Sequence, residues 1–497
     1  MSGSSLATSR PSDTLLLVLD CVNDSWLTDP RFQDSALPTL RALARGSVLF
    51  DHAVTAASWT APAIASLFTG LYPWEHGMFS LGRRTLRPGD QTLAERYAAE
   101  GYATGSFSAN PHVGVASGLS RGFDVHYTGA FTDCYVRRIS QWSSAPSEEN
   151  GVDPTLGARL PVLRQGSRLR LAAARTAISM PAVVDIGTRI LSRVKQNGDG
   201  SHSLVAPWIE PALEGWLRAQ PRQRPVFCFV NLLDAHEPYV GLPEEIRRPF
   251  EWLSQMATSQ RVHRRPDGTP FMSARESKIL TDLYRRSIEI LDRRVARLLE
   301  IFAAHRDADR LTVVLTGDHG QAFGEEGSFY HRWGVASSLH RVPLIVRPSG
   351  FSEQGRRCSQ WVSTKDVGHL LEDSESLRSA DPPYAASGGT SEGESAPPVL
   401  SLADVAGSNI FTEPRRDPRV GDPHMFVIGY AGRHRVVADV DALPGSAERL
   451  EVTPHDGDPT EWAELRRATH EAAWRIAAQS TPVRASRVED RLARWGY

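Results

Sequence analysis

The chain has 497 residues, a formal net charge of −2, and ordinary shares of apolar (41%) and charged (23%) residues. That length supports a large core with a smaller second lobe, and the near-neutral balance leaves no electrostatic footprint for nucleic acid or an anionic membrane. Cys21, Cys134, Cys228 and Cys358 are too scattered for a metal or redox motif, Met1 to Asp13 lacks the plan of a signal peptide, and no apolar run approaches ~20 residues; the expectation is a soluble cytoplasmic protein with reduced thiols and no membrane span.

Thr14 to Leu19 is a continuous apolar run ending in Asp20, the pattern of a buried parallel strand with a carboxylate at its C-terminal end. Helical spacing follows at Leu37 to Ala44, and a short strand at Ser47 to Phe50. Pro62 suits the first turn of a helix over Ala61 to Phe68, with Thr60 in the positive field of its N-terminus as a capping or a reactive hydroxyl. A helix at Thr92 to Ala99 and a strand at Tyr102 to Phe107 come next. Residues 131–205 mix basic and apolar positions and read, with 240–275, as cap or insert segments.

Strands are expected at Val226 to Leu232, Leu311 to Leu315 and Val342 to Val346, with a long helix at Ala274 to Phe302. Residues 371–398 are rich in Ser, Gly, Pro and acidic residues and read as a loop or linker. Strand-like runs at Met425 to Ile428 and His434 to Val440 and a helix at Thr460 to Ala478 complete a smaller lobe, 399–497. Alternating strands and helices over 1–370 predict an α/β domain with a mostly parallel sheet, followed by an α+β lobe.

Asp20 ends one buried strand and Asp318-His319 follows another. Two carboxylates and an imidazole suit Zn²⁺ or Mn²⁺, and a metal beside Thr60 would generate a nucleophile at neutral pH. Taken singly, each has an ordinary alternative as a cap or a tight turn.

These motifs occur within LLLVLD (15–20), LPTLRALARGSVLFDHAVTAASWTAPAIASLFTGLYPWEHG (37–77), SRGFDVHY (120–127), FVNLLDAHEPY (229–239), LTGDHGQAFGEEG (315–327) and HRVPLIV (340–346). In this order the segments resemble the sulfatase-like members of the alkaline phosphatase superfamily. The resemblance implies that family's three-layer fold, with a central mixed, mostly parallel sheet flanked by helices. It implies Thr60 as nucleophile and Asp20, Thr60, Asp318 and His319 as ligands of one divalent metal. It further implies His236 and His331 as catalytic and substrate-contacting histidines, and Asn110 facing the substrate pocket. Asp234 is left open as a ligand of a second metal, and His76 reads as structural.

True sulfatases carry cysteine or serine at the nucleophile, within C/S-x-P-x-R, and oxidise it to formylglycine. Threonine is not a formylglycine precursor, so Thr60 resembles the phosphodiesterase and phosphotransferase branches instead. Where calcium sulfatases offer a second Asp and an Asn, this chain has Cys21 and His319, so manganese or zinc is expected before calcium or magnesium. Ala63, Ile64 and Asn23 replace a serine and two charged residues that many relatives use on an anion. The expected function is cleavage of a small-molecule phosphoester, phosphodiester first. Sulfate or sulfamate ester hydrolysis without formylglycine, and a non-catalytic ligand-binding role, are the alternatives.

Overall fold

The computed structural model describes residues 11–79, 85–110, 112–115, 117–128, 135–138, 205–237, 239, 273–325, 329–331, 335–351, 355–372, 377, 399–404, 425–431, 434–439 and 459–479. The segments read as caps (131–205 and 240–275) and as a linker (371–398) lie almost wholly outside these residues, as does Cys134.

Among the described residues one sheet has nine strands: β1 (Asp13–Leu19), β2 (Val48–Val54), β3 (Ala103–Ser108), β4 (Val125–Thr128), β5 (Tyr135–Arg138), β6 (Val226–Leu232), β7 (Leu311–Gly317), β10 (Leu344–Arg347) and β11 (Arg356–Ser363). Their order is β11-β2-β10-β7-β1-β6-β3-β4-β5. The central strands β7, β1, β6 and β3 are mutually parallel, while β10 and β5 run antiparallel to their neighbours. The small strands β8 (Ala322–Phe323) and β9 (Phe329–Tyr330) form a separate hairpin.

The unbroken apolar character of β1 has a packing cause. Leu15, Leu17 and Leu19 enter one core layer, and Leu16 and Val18 enter the other. All five are fully buried, each contributing about 1.5–3 kcal/mol. The first layer is covered by helices Pro38–Arg45, Ile209–Ala219 and Ala274–His305. The second is covered by helices Thr60–Thr69, Leu93–Ala99 and Val367–Glu372. The long helix starts at a capping box, with Ser273 accepting from the Glu276 N–H and Glu276 accepting from that of Ser273.

Strands β12 (Val399–Asp404), β13 (Met425–Ala431) and β14 (His434–Asp439) form a separate antiparallel sheet, packed by helix Pro459–Gln479. Leu402, Val427 and Ile476 of this lobe pack on Ala57, Ala63 and Trp74. The Leu402 backbone also bonds to Ala56 and Ser58 on either side of Ala57, so the small sheet buttresses the loop that leads into Thr60.

Candidate active site

Parallel strands deliver their C-terminal ends to one edge of a sheet, where α/β folds place their sites. The register aligns Leu19 with both Gly317 and Leu232, and Ser108 with Asn231. Asp20, Asp318, the Asp234–Glu237 loop and Asn110 therefore emerge side by side. Gly317 and Gly320 flank the Asp318-His319 pair because a Cβ would run into the carbonyl oxygens of Val22 and Ser338 respectively.

Thr60 comes to this edge from the opposite layer. It is the first residue of its helix, after Trp59 at the N-cap position, and the cap makes no side-chain hydrogen bond. The capping alternative for Thr60 is thereby corrected: Trp59 takes the cap position, and the Thr60 hydroxyl bonds with Asn110 and His319. Asn110 Nδ2 donates to Thr60 Oγ1 at 3.1 Å and to Asp20 Oδ2 at 2.8 Å. The His112 N–H donates to Asn110 Oδ1, which fixes the amide orientation. The loop before Thr60 is tied to the later motif through Thr55 Oγ1, which donates to the Asp318 carbonyl.

His319 Nδ1 lies 3.0 Å from the Gly320 carbonyl, which only accepts, so Nδ1 carries the proton. The lone pair is left on Nε2, which is 3.3 Å from Thr60 Oγ1, 3.4 Å from Asp318 Oδ2 and 3.9 Å from Asp20 Oδ1. Asp318 Oδ1 accepts from the N–H groups of Cys21 and His319. Asp20 Oδ1 and Asp318 Oδ2 are both buried with no hydrogen-bond partner. Burial and the neighbouring Asp20 push the Asp318 carboxyl well above the usual range. Burial also holds His319 well below its ordinary range, in the neutral form a metal requires.

Two orphaned carboxylate oxygens, one imidazole lone pair and one hydroxyl converge, and no lysine or arginine among the described residues pairs with either carboxylate. Buried acids in such an arrangement are neutralised by a proton or by a cation, and these donors fit a divalent transition ion.

Beside this group lies a second one that includes His236 and His331. Their rings are 4.7 Å apart, and His331 stacks on His319, also at 4.7 Å. Glu237 lies 3.6 Å from His236 Nδ1 and 3.5 Å from His331 Nδ1. Burial raises the Glu237 carboxyl, but the two histidines outweigh it and hold it well below the usual range. Asp234 stands apart, ion-paired with Arg294 at 2.8 Å.

Four supporting residues complete the site; of these, sequence reasoning names only Cys21, at the place of a second Asp. Cys21 has a left-handed backbone (φ 63°), which is strained for a side-chain-bearing residue. Tyr284 of the long helix holds that turn by donating to the Cys21 carbonyl at 2.9 Å and accepting from the Asn23 N–H at 3.1 Å. Gln321 Nε2 donates to Glu237 and Tyr239, and its Oε1 lies 3.1 Å from His331 Nδ1. Glu237 adjoins the predicted His236 in sequence. Nothing in the sequence marks Tyr284 or Gln321.

Asn23, where relatives carry a charge, donates instead to the Gln321 and Ser338 carbonyls. Ile64 is fully buried in the second core layer. Cys21, Cys228 and Cys358 are free and buried, and no helix of the described residues is long and apolar enough to cross a membrane.

Comparison with known proteins agrees with this architecture. The family model described as Sulfatase matches residues 14–371. Human N-sulphoglucosamine sulphohydrolase is 41% identical over 78 residues, 15% of each chain. Human iduronate 2-sulfatase is 24% identical over 392 residues, 74% of this chain and 66% of the relative. The chain thus spans less than two thirds of the length of these curated relatives. Among solved structures, the phosphonate monoester hydrolase of Agrobacterium radiobacter is similar in fold, with a TM-score of 0.54 at 17% identity, over 97% of this chain and 95% of that one. The phosphonate monoester hydrolase of Silicibacter pomeroyi has a TM-score of 0.52 at 17% identity, over 95% and 96%. With a family match that takes in both strand-end motifs and the Thr60 helix, this chain belongs to the sulfatase family of hydrolases.

Proposed function

We propose that the chain is a metal-dependent phosphoester hydrolase or phosphotransferase, acting on diesters first, with Thr60 Oγ1 as nucleophile. The observation that carries this reading is the convergence of the Thr60 hydroxyl, two partnerless carboxylate oxygens and the His319 Nε2 lone pair. Asp20, Asp318 and His319, with Thr60 itself, would hold one divalent ion, manganese or zinc before calcium or magnesium; family members generally use such an ion. When bound, the ion lowers the pKa of the hydroxyl and neutralises charge on the substrate. Residues 1–370 form the catalytic unit in this proposal, and 399–497 the lobe that backs the nucleophile loop.

The chain's own groups do the positioning. Asn110 Nδ2 donates to Thr60 Oγ1, which leaves that hydroxyl an acceptor toward the amide while its own proton is free to depart. The same amide stabilises negative charge on Oγ1 as that proton leaves. In this reading His236 and His331 contact the substrate's non-bridging oxygens and protonate the leaving group. Attack by Oγ1 forms a phospho-threonine and expels the leaving alkoxide. Water or an acceptor alcohol then displaces the threonine.

The charge of the site supports a singly charged substrate. Ile64 replaces the cationic residue that relatives present, and a phosphodiester or phosphonate monoester carries one negative charge where a phosphate monoester carries up to two. The two structural neighbours described as phosphonate monoester hydrolases support the same class.

A second reading, sulfate or sulfamate ester hydrolysis without formylglycine, is favoured by the family model and by the names of the two human relatives. The four matched buried donors weigh against a non-catalytic relative. Turnover of aryl sulfate, phosphate monoester, phosphodiester and phosphonate monoester after manganese or zinc loading decides among them. Brisk diester turnover that vanishes in Thr60→Ala is expected. Sulfate turnover over a background diester rate would overturn the first reading.

A further inference from the structure

We propose that Gln321, together with Glu237, is the positioning pair that fixes which nitrogen of His331 delivers a proton, and that it suits the site to esters with alkyl leaving groups. This role rests on the reading above, in which His331 protonates the leaving group. The placement begins in the small hairpin. Ala322 pairs with Tyr330 and Phe323 with Phe329, antiparallel, so Gln321 stands opposite His331. Both are buried. Tyr330, just before His331, has a left-handed backbone (φ 62°), a strained conformation for a bulky residue that persists where the surroundings over-determine it.

The amide of Gln321 lies one way round for a chemical reason. Glu237, held ionised between His236 and His331, only accepts. Gln321 Nε2 therefore faces it, donating to Glu237 Oε2 at 3.0 Å and to the Tyr239 hydroxyl at 2.9 Å. That leaves Gln321 Oε1 3.1 Å from His331 Nδ1. An amide carbonyl only accepts, so His331 Nδ1 carries a proton. Glu237 Oε2, 3.5 Å from the same nitrogen, favours it there as well. His319 and His236 reach the same state through the backbone. Their Nδ1 atoms donate to the Gly320 carbonyl at 3.0 Å and the Glu237 carbonyl at 2.6 Å. In all three rings Nδ1 is committed and Nε2 is the working atom. His331 is held through side chains, so replacing one amide releases it and leaves the carbonyl acceptors of the other two in place.

The chemistry follows from that commitment. As Thr60 Oγ1 forms the new bond to phosphorus, the bond to the ester oxygen breaks and its electron pair goes to that oxygen. The Nε2 proton of His331 goes to the same oxygen, while the Nδ1 proton stays with Gln321 and Glu237. The neutral ring then takes a proton from the water or alcohol that displaces the threonine. An activated aryl oxide leaves without help, whereas an alkoxide is too basic to do so. A histidine locked for proton delivery is therefore worth most on alkyl esters.

Two readouts on the zinc-loaded full chain test this. Nitrogen-15 histidine NMR reads the tautomer, with the His331 signal assigned by its loss in His331→Gln. A series of aryl methyl phosphodiesters, with leaving groups from 4-nitrophenol to phenol, reads proton delivery. The wild type should show a proton fixed on His331 Nδ1, and Gln321→Met should lose that fixed signal. The fall in kcat in Gln321→Met should be at least ~10-fold larger for phenol than for 4-nitrophenol, within the roughly 10²–10⁴-fold that positioned proton transfer supplies. Glu237→Gln, which keeps the side chain's shape, should steepen the dependence in the same direction. Circular dichroism confirms that each variant is folded. Equal losses along the series in both variants would make the pair merely structural and overturn the proposal. A wild-type His331 with its proton on Nε2 alone would overturn it too. A wild type that turns over no member of the series would overturn the phosphoester reading itself, and the proposed role with it.

Discussion

Two groups of buried or half-buried acids lie at the same edge of the sheet and are built in opposite ways. In one, Asp234 and Glu210 share Arg294. Its Nε donates to Glu210 Oε1 at 2.6 Å, Nη1 to Asp234 Oδ2 at 2.8 Å and the Val205 carbonyl at 2.9 Å, and Nη2 to Glu210 Oε2 at 2.9 Å and the Ala206 carbonyl at 3.1 Å. Every guanidinium proton has an acceptor. In the other, Asp20 and Asp318 are fully buried and each keeps one oxygen without a partner. The first group carries its own cation and is complete within the chain. The second has no lysine or arginine partner among the described residues. Buried acids therefore mark the active site here by what they lack.

The largest expected effect breaks the second group. Thr60→Ala should lower turnover by at least ~10⁴-fold, the scale seen when a nucleophile is removed, while metal content stays above that of Asp318→Asn. Steady-state kinetics beside metal analysis checks both. The next acts on the first group. Arg294→Met leaves Asp234 and Glu210 without their cation and should destabilise the fold by about 3–5 kcal/mol, read by urea denaturation, with metal binding retained in the folded fraction. Equal loss of metal in Arg294→Met would mean that the two groups are not separable.

A third prediction concerns His76, a buried histidine outside both groups. The Met78 N–H donates to its Nδ1, and Nε2 bonds with Ser66 Oγ. Burial lowers its pKa to about 3. Between the ordinary histidine value near pH 6.5 and about pH 3, the unfolded chain holds a proton that folded His76 refuses. Stability should therefore fall with falling pH across that window, by roughly 1.4 kcal/mol per unit at most from this group. Denaturation midpoints from pH 7 to pH 4 should drop less steeply in His76→Gln. The smallest effect is that of Tyr284→Phe, which removes the hydroxyl bonded on both sides of Val22. It should cost about 1–3 kcal/mol and lower kcat more than stability alone explains, because the Cys21 turn loosens.

Much of the fold is legible from the sequence for a simple reason. Strands β1, β6 and β7 are buried on both faces, so they read as continuous apolar runs. The Ser273-Glu276 capping box announces the long helix. Asp20, Asp318 and His319 are legible because each directly follows such a strand. Other parts are not. β11 lies at the sheet edge with several exposed residues, and its sequence RRCSQWVS has no apolar run. β12 is short, and its place is set by pairing with the Thr60 loop, a tertiary effect. Thr60 carries the composition of a cap, yet its neighbour Trp59 takes that position. Glu237, Gln321 and Cys21 meet only because three strand ends, far apart in the chain, share one register.

The central claim is that Thr60 is the group that attacks. Its most direct test is peptide mass analysis of the manganese- or zinc-loaded protein, acid-quenched during turnover of an aryl phosphodiester. The account predicts a phosphoryl adduct on Thr60 that is absent when Thr60→Ala is treated alike. Turnover that proceeds with Thr60 unmodified, and that continues in Thr60→Ala, would contradict it.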